Sequence, residues 1–320
     1  MGRTPTVKKT YRMSLEGKLI VPGSLKELPK EACYDNIPNL KKSMVLIEYE
    51  PWQLEEITKC SMDIEYFCQK YVYINDADRG RVLLELRDYQ KRMMSTYTNN
   101  RFAVTMCPRQ GGKSLIVSVF ILHHMLFNAD KTSAIIANKA SIAREIFSKL
   151  KMAYNELPYW LQMGVLEWHK SSMHLENGSH VFASATSADG IRGVMVNGIL
   201  FLDEFAIIRR NIAEAFFESV YPTIAASTEA RIIIASTPLG MNHFHELWKK
   251  AVNKKNQFIP VRVEWDEIPG RDEEFKQQTI KNIGIKKWNQ EFECAFIGSS
   301  STLIKARILE ALDADDPKVL

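Results

Sequence analysis

From residue 102 onward, short unbroken apolar runs alternate with stretches whose apolar positions recur at helical spacing. FAVTMC (102–107), TSAIIAN (132–138), HVFASA (180–185), GILFLDE (198–204) and RIIIAST (231–237) are the runs. Residues 113–126, 141–157, 212–221 and 242–252 carry the helical pattern between them. Apolar runs of this length, flanked by amphipathic helices, are central strands buried on both faces. The pattern therefore predicts an α/β fold of the phosphate-loop NTPase (RecA/ASCE-like) kind, a mostly parallel sheet with helices on both faces. Residues 258–263 offer one more strand. EWDEIPGRDEEF (264–275) is a polar break, and the chain beyond it is mainly helical.

Upstream of that core the pattern is weaker. Trp52, Ile57, Cys60, Ile64 and Phe67 recur at helix-like steps, so 51–72 is predicted helical. A turn at 75–80 precedes a helix over 86–97. Residues 1–50 are rich in Pro, Gly and Lys, with one short apolar run at 44–47, and predict an extended arm. The expected division is an N-terminal arm and helix (1–80), a nucleotide core (81–258) and a small helical, lid-like second subdomain (259–320). No repeat or low-complexity segment interrupts it.

Composition narrows the class. The 320 residues are 46% apolar and 25% charged, ordinary for a globular protein and unlike a disordered or collagen-like chain. The net charge of +4 is modest. Arg3, Lys8, Lys9, Arg12 and Lys18 stand against Glu16 alone in the first 18 residues, so the tail holds the whole excess. Five cysteines (33, 60, 68, 107, 294) form no CxxC pair, which suggests neither zinc nor a disulfide framework and fits a reducing cytosol. The N-terminus lacks the apolar segment of a secretion signal. The longest apolar stretch, 115–127, is broken by His123 and His124 and falls short of the ~18 residues of a membrane span.

Three short segments carry chemistry. CPRQGGKS (107–114) joins a predicted strand to a predicted helix, the arrangement that offers backbone N–H groups and a helix N-terminus to phosphate. There Lys113 would reach the β- and γ-phosphates, the Ser114 hydroxyl would ligate Mg²⁺, and Gly111 and Gly112 would let the backbone approach. Cys107 stands where the general motif has Gly, so the strict pattern fails, and a turn with a solvated lysine is the alternative. GILFLDEFA (198–206) runs a buried strand into Asp203 and Glu204, at the edge where doubly wound sheets bind ligands. Asp203 can hold Mg²⁺ and Glu204 can deprotonate the attacking water. An extra strand between the two motifs is the arrangement expected of the catalytic-glutamate class of ATPases. IIIASTPLG (232–240) ends a further strand on Ser236 and Thr237, which can sense the γ-phosphate or simply terminate the strand.

The remaining candidates read as ordinary. His243 and His245 have the wrong spacing for a zinc motif and are surface or packing histidines. Lys249, Lys250, Lys254 and Lys255 form a basic patch, a solvated face or a contact to DNA phosphates. The six tryptophans are scattered, as core residues are.

RDYQ (87–90), PRQGGKS (108–114), SADGIRG (187–193), ILFLDEFA (199–206), ASTPLGMNHFHELW (235–248) and WNQEFECAFIGSSSTLI (288–304) occur in this order. Together they resemble the ATPase half of the large terminase subunit, the DNA-packaging motor of tailed double-stranded DNA bacteriophages. In that family Cys in place of the first loop glycine is normal.

The resemblance implies ATP hydrolysis with Mg²⁺, driving double-stranded viral DNA into a preformed capsid. It implies that Gln90 contacts adenine and that Arg109, Gln110, Gly111, Gly112, Lys113 and Ser114 bind the nucleotide. Lys113, Glu204, Arg109 and Arg192 would be catalytic, with Ser114 and Asp203 on the metal and Ser236 and Thr237 as the coupling motif. Arg109 and Arg192 are alternatives for the arginine finger, acting within the subunit or on its neighbour. Implied partners are double-stranded DNA, the phage portal, the small terminase subunit and further copies in a ring (a pentamer on the capsid), with no membrane. The implied location is the host cytoplasm, docked transiently on the procapsid.

Family proteins continue into a ribonuclease-H-like nuclease. The closing residues Asp313, Asp315 and Asp316 lack a strand-borne acidic triad, so no nuclease activity is expected of this chain. Two other functions fit parts of the pattern. RDYQ and a DE-bearing strand also suit a superfamily-2-like helicase or translocase, although the span after Asp203 is short for a second RecA-like domain. A nucleotide-gated assembly module is the third, and it would not need both hydrolytic acids.

Overall fold

The structure is a computed structural model that describes residues 11–76, 78–186 and 195–297. Its strands in chain order are β1 (Arg12–Met13), β2 (Leu19–Pro22), β3 (Val45–Glu48), β4 (Tyr73–Asp76), β5 (Gly80–Leu83), β6 (Phe102–Met106), β7 (Thr132–Ala137), β8 (Val165–Trp168), β9 (Ser172–Leu175), β10 (His180–Ala185), β11 (Ile199–Asp203), β12 (Arg231–Ser236) and β13 (Ile259–Arg262). Eight of them form one helix-flanked sheet in the order β13-β6-β12-β11-β7-β10-β9-β8. β13, β6, β12 and β11 pair in parallel, and β10, β9 and β8 in antiparallel. This is the expected α/β class.

Two compact units interleave along the sequence. The first comprises 1–87, 115–135 and 144–183. It holds the helices Pro51–Met62 and Ile64–Tyr71, which replace the single helix predicted over 51–72. The break is at Asp63, whose carboxylate accepts the backbone N–H of Glu65 and Tyr66 and so starts a new helix. The described part of the predicted arm is not extended. β2 pairs in parallel with β3 and antiparallel with β1, and Val21, Ala32, Leu40 and Val45 are buried. The turn at 75–80 is flanked by β4 and β5, an antiparallel hairpin. β8 and β9 were not foreseen in the sequence. Each is four residues long with few buried positions, too brief to set up a period-2 signal.

The second unit comprises 88–114, 136–143 and 184–320. β6 and β11 are buried at every position and β12 at all but its first, as unbroken apolar runs should be. β12 lies between β6 and β11, the interposed strand expected between the two motifs. Register aligns the strand ends: Met106 pairs with Ser236, and Ala235 with Asp203. The loop after β6, the acids ending β11 and the hydroxyls ending β12 therefore emerge at one edge of the sheet. The helix predicted over 212–221 is two, Arg210–Ser219 and Tyr221–Ala226. Pro222, in the first turn of the second helix, lacks the N–H a continuous helix would need there. The helices Asp88–Asn99, His243–Val252, Glu273–Ile283 and Ile285–Glu291 complete the unit.

Candidate nucleotide site

The loop Cys107–Ser114 is shaped by backbone its sequence can adopt. Gly112 has φ +77°, where a side chain would be strained, and a Cβ there would lie 3.0 Å from Gln90 Nε2. A Cβ on Gly111 would lie 2.4 Å from Cys107 Sγ, so that glycine is required by space. Gln110 is also left-handed, at φ +57°. Cys107 is buried, and burial pushes its thiol up to about 12, leaving it a packing group beneath the loop.

Lys113 opens the helix Lys113–Phe127 and is buried. Its Nζ donates to Glu204 Oε1 and lies 3.6 Å from Asp203 Oδ1. Burial pulls the lysine pKa down, but the two carboxylates carry it above the ordinary value, so it is an ammonium. Asp203 goes the other way from a typical ion-paired acid. Its burial outweighs the attraction of Lys113, and its pKa is raised. Ser114 Oγ donates to Asp203 Oδ2 at 3.4 Å, while Asp203 Oδ1 is buried with no hydrogen-bond partner among the described residues.

A buried, unsatisfied carboxylate oxygen beside a serine hydroxyl and a glycine-lined loop fits Mg²⁺ bound together with phosphates. Such a metal needs only one or two protein oxygens and keeps several waters. No cluster of three or more His, Cys, Asp or Glu occurs among the described residues, and none is required for that mode.

Glu204 follows the strand's last residue and lies in the left-handed region, φ +52°. That conformation costs a non-glycine residue ~1–2 kcal/mol and turns its carboxylate out of the strand direction. Ser236 Oγ donates to Thr237 O at 2.8 Å and lies 3.5 Å from Glu204 Oε2. Ser236 and Thr237 are both buried beside the acid. Gln90 is buried against the loop, near Tyr89 Oη at 3.5 Å. The structure thus brings Gln90, the loop, Lys113, Ser114, Asp203, Glu204, Ser236 and Thr237 together within the second unit.

The arginines differ. Arg109 points to the helix Ile285–Glu291: its Nε lies 3.0 Å from Glu291 Oε2 and its backbone N–H donates to Glu291 O at 3.0 Å. Arg271 donates to Arg109 O at 2.6 Å. Neither Glu291 nor Arg271 was foreseen, because nothing local in the sequence links them to the loop. Arg192 lies outside the described residues, as do the basic residues at 3, 8 and 9 and the aspartates at 313, 315 and 316.

His243 is buried and hydrogen-bonded, a packing histidine as expected, and His245 stacks edge-on to Phe296. An open cavity of about 840 Å³ is lined by residues including Met106, Trp248, Arg262 and Phe296. All five cysteines are free thiols. No described helix is long and apolar enough to cross a membrane.

A lysine-serine loop after a buried strand, facing an Asp-Glu pair one strand removed, defines a phosphate-loop NTPase-like fold. The chain belongs to the large terminase subunit family. Residues 104–311 match the family model "Terminase large subunit, T4likevirus-type, N-terminal".

Solved structures share the fold at low identity. The large terminase ATPase domain of Thermus phage P74-26 is 21% identical, with a TM-score of 0.55 over 67% of this chain and 94% of that one. The HK97 bacteriophage large terminase is 16% identical, with a TM-score of 0.55 over 80% of this chain and 52% of that one. The large terminase of a thermophilic bacteriophage in complex with ADP is 11% identical, with a TM-score of 0.53 over 66% and 54%.

Proposed function

We propose that this chain hydrolyses Mg·ATP and uses the cycle to move double-stranded viral DNA into a preformed capsid. The observation that carries the reading is the convergence of Lys113, Ser114, Asp203 and Glu204 on one sheet edge. Membership of the large terminase family and the ADP complex of a relative support it.

Lys113 would exchange its carboxylate partners for the β- and γ-phosphate oxygens, and the loop N–H groups would cradle the same phosphates. Ser114 and Asp203 would hold Mg²⁺, which supplies positive charge against the charge developing on the transferred phosphoryl group. Freed of Lys113, the Glu204 carboxylate would orient a water and take its proton as the oxygen attacks the γ-phosphorus. Gln90 would meet the base, and Ser236 and Thr237 would pass the state of the phosphates to the rest of the unit.

Arg109 or Arg192 supplies the finger, a group contributing ~10³–10⁵ in rate. In the described structure the largely exposed Arg109 side chain is ion-paired to Glu291, a contact it would leave to reach phosphate, while Arg192 would act from a neighbouring copy in a ring. The portal, the small terminase subunit and double-stranded DNA complete the assembly, on procapsids in the host cytoplasm. A superfamily-2-like helicase has no observation in its favour once the family is known.

The test is phosphate release by the full chain with Mg·ATP, with and without double-stranded DNA. Turnover that rises with DNA is expected, and no turnover in an assembled ring would contradict the proposal. Mixing Glu204→Gln with Arg192→Ala protein should recover activity. No recovery in a demonstrable ring would overturn the role of Arg192.

A further inference from the structure

Glu204 is left-handed, and the single 3-10 turn after it, Phe205–Ile207, is closed by Ile207 N–H to Glu204 O at 2.9 Å and Ile208 N–H to Phe205 O at 3.2 Å. Side chains from the end of β12 and from the segment after it tie that turn down further. Ser236 Oγ accepts the Ala206 N–H at 3.1 Å. Asn242 Nδ2 donates to Ala206 O at 2.7 Å. His243 Nε2 is 2.8 Å from Phe205 O, and because a carbonyl only accepts, that nitrogen carries the proton. The His243 ring also meets the Phe205 ring edge-on at 4.9 Å. Phe205, Ala206 and His243 are all buried, where a lost polar partner is not replaced by water.

Asn242 works at both ends. Its Oδ1 accepts the N–H groups of Phe244 and His245 at 3.0 and 3.4 Å, capping the helix His243–Val252. One amide therefore joins the first turn of that helix to the residue pair following the acid. Its orientation is fixed, because exchanging O and N would set oxygen against Ala206 O and N–H against two N–H groups.

We propose that Asn242 and His243 are positioning residues for Glu204, and that the Asn242 amide makes the helix His243–Val252 and the hydrolytic carboxylate move as one piece. This rests on the reading of Glu204 as the base. Displacement of a catalytic group by about 1 Å can cost ~10²-fold. Neither residue touches the phosphate loop in the contacts described above, so its loss should act on turnover and spare nucleotide affinity.

The separating variant is Asn242→Asp. It keeps the acceptor that caps the helix but sets a carboxylate oxygen against Ala206 O in place of a donor. The full chain is assayed for single-turnover phosphate release and for binding of a fluorescent ATP analogue, beside wild type and Glu204→Gln. Asn242→Asp should turn over about 10–100-fold more slowly at an affinity within about twofold of wild type. His243→Gln, which can still donate to Phe205 O, should retain more turnover than His243→Phe. Hydrogen exchange should rise at the amides of 205–207 in Asn242→Asp while the helix 243–252 stays protected.

Wild-type turnover in Asn242→Asp, or a fall in affinity as large as the fall in rate, would overturn the proposal. Should wild type fail to hydrolyse ATP in an assembled ring, the function proposed above fails, and unchanged exchange at 205–207 would still overturn the clamp on its own.

Discussion

Two buried lysines, one in each compact unit, are held by carboxylates in opposite ways. Lys41 in the first unit has one acid, Glu176, whose Oε1 is 3.6 Å from Nζ. Glu176 is otherwise occupied, accepting the N–H groups of Gly164 at 2.6 Å and Met44 at 3.3 Å. The Lys41 backbone N–H donates to Gln162 Oε1 at 2.9 Å. Burial wins over this single partner, and the Lys41 pKa is lowered. Lys113 in the second unit faces two acids, and its pKa is raised. One charge against one charge is a closed structural pair. One ammonium against two carboxylates leaves one carboxylate in excess and an Asp203 oxygen with no hydrogen bond among the described residues.

The difference teaches how to tell a tie from a site. The excess carboxylate around Lys113 suits a cation arriving with phosphates. ATP without metal would bring four further negative charges toward Asp203 and Glu204, so binding should depend on Mg²⁺.

The sharpest way to break this comparison is to remove each lysine. Lys113→Ala strands two carboxylates and should cost about 3–5 kcal/mol of stability as well as nucleotide binding, read by denaturant melts and by titration with the analogue. If Lys113→Ala were as stable as wild type, the acids would not be in the tension described. Chelating the metal with EDTA should abolish analogue binding by wild type.

A smaller effect of unusual sign is expected at Asp203. Its pKa is raised, so the folded state holds that proton more tightly than the unfolded chain, and its charge at neutral pH costs stability. Asp203→Asn should therefore raise the melting temperature by on the order of 2–4 °C while abolishing hydrolysis. The gain should shrink as pH falls through the raised pKa toward 3.8, where wild type also becomes neutral there. Melting curves from pH 8 to pH 4 check this.

The smallest effect belongs to the closed pair. Lys41→Met replaces a buried charge by packing and leaves Glu176 with its two backbone donors. Its stability should stay within about 1 kcal/mol of wild type near neutral pH. Because the Lys41 pKa is lowered, wild type should gain on the variant as pH rises toward 10.5.

Much of this was readable in the chain. Short runs that are wholly or almost wholly apolar make β6, β11 and β12 visible, and a strand running into Asp203-Glu204 must place both acids at the sheet edge. Phosphate-loop geometry likewise follows from Gly111 and Gly112. Shorter pieces were hidden. β2 and β3 are four residues each in a Pro- and Lys-rich stretch, and their burial depends on pairing that no local periodicity announces. The same is true of β8 and β9. In the site, the missing information was always long-range. Spacing excludes His243 as a zinc ligand but does not reveal its bond to Phe205 O, and an asparagine before a helix signals a cap without showing its second bond. The commitment of Arg109 to Glu291 required the fold.

The central claim is that Glu204 is the base of an ATP-hydrolysing site. Its most direct test is the single-turnover rate of phosphate release from saturating Mg·ATP by Glu204→Gln against wild type. A loss of about 10²–10⁴-fold with the ATP analogue still bound is expected, whereas turnover within twofold of wild type would contradict it.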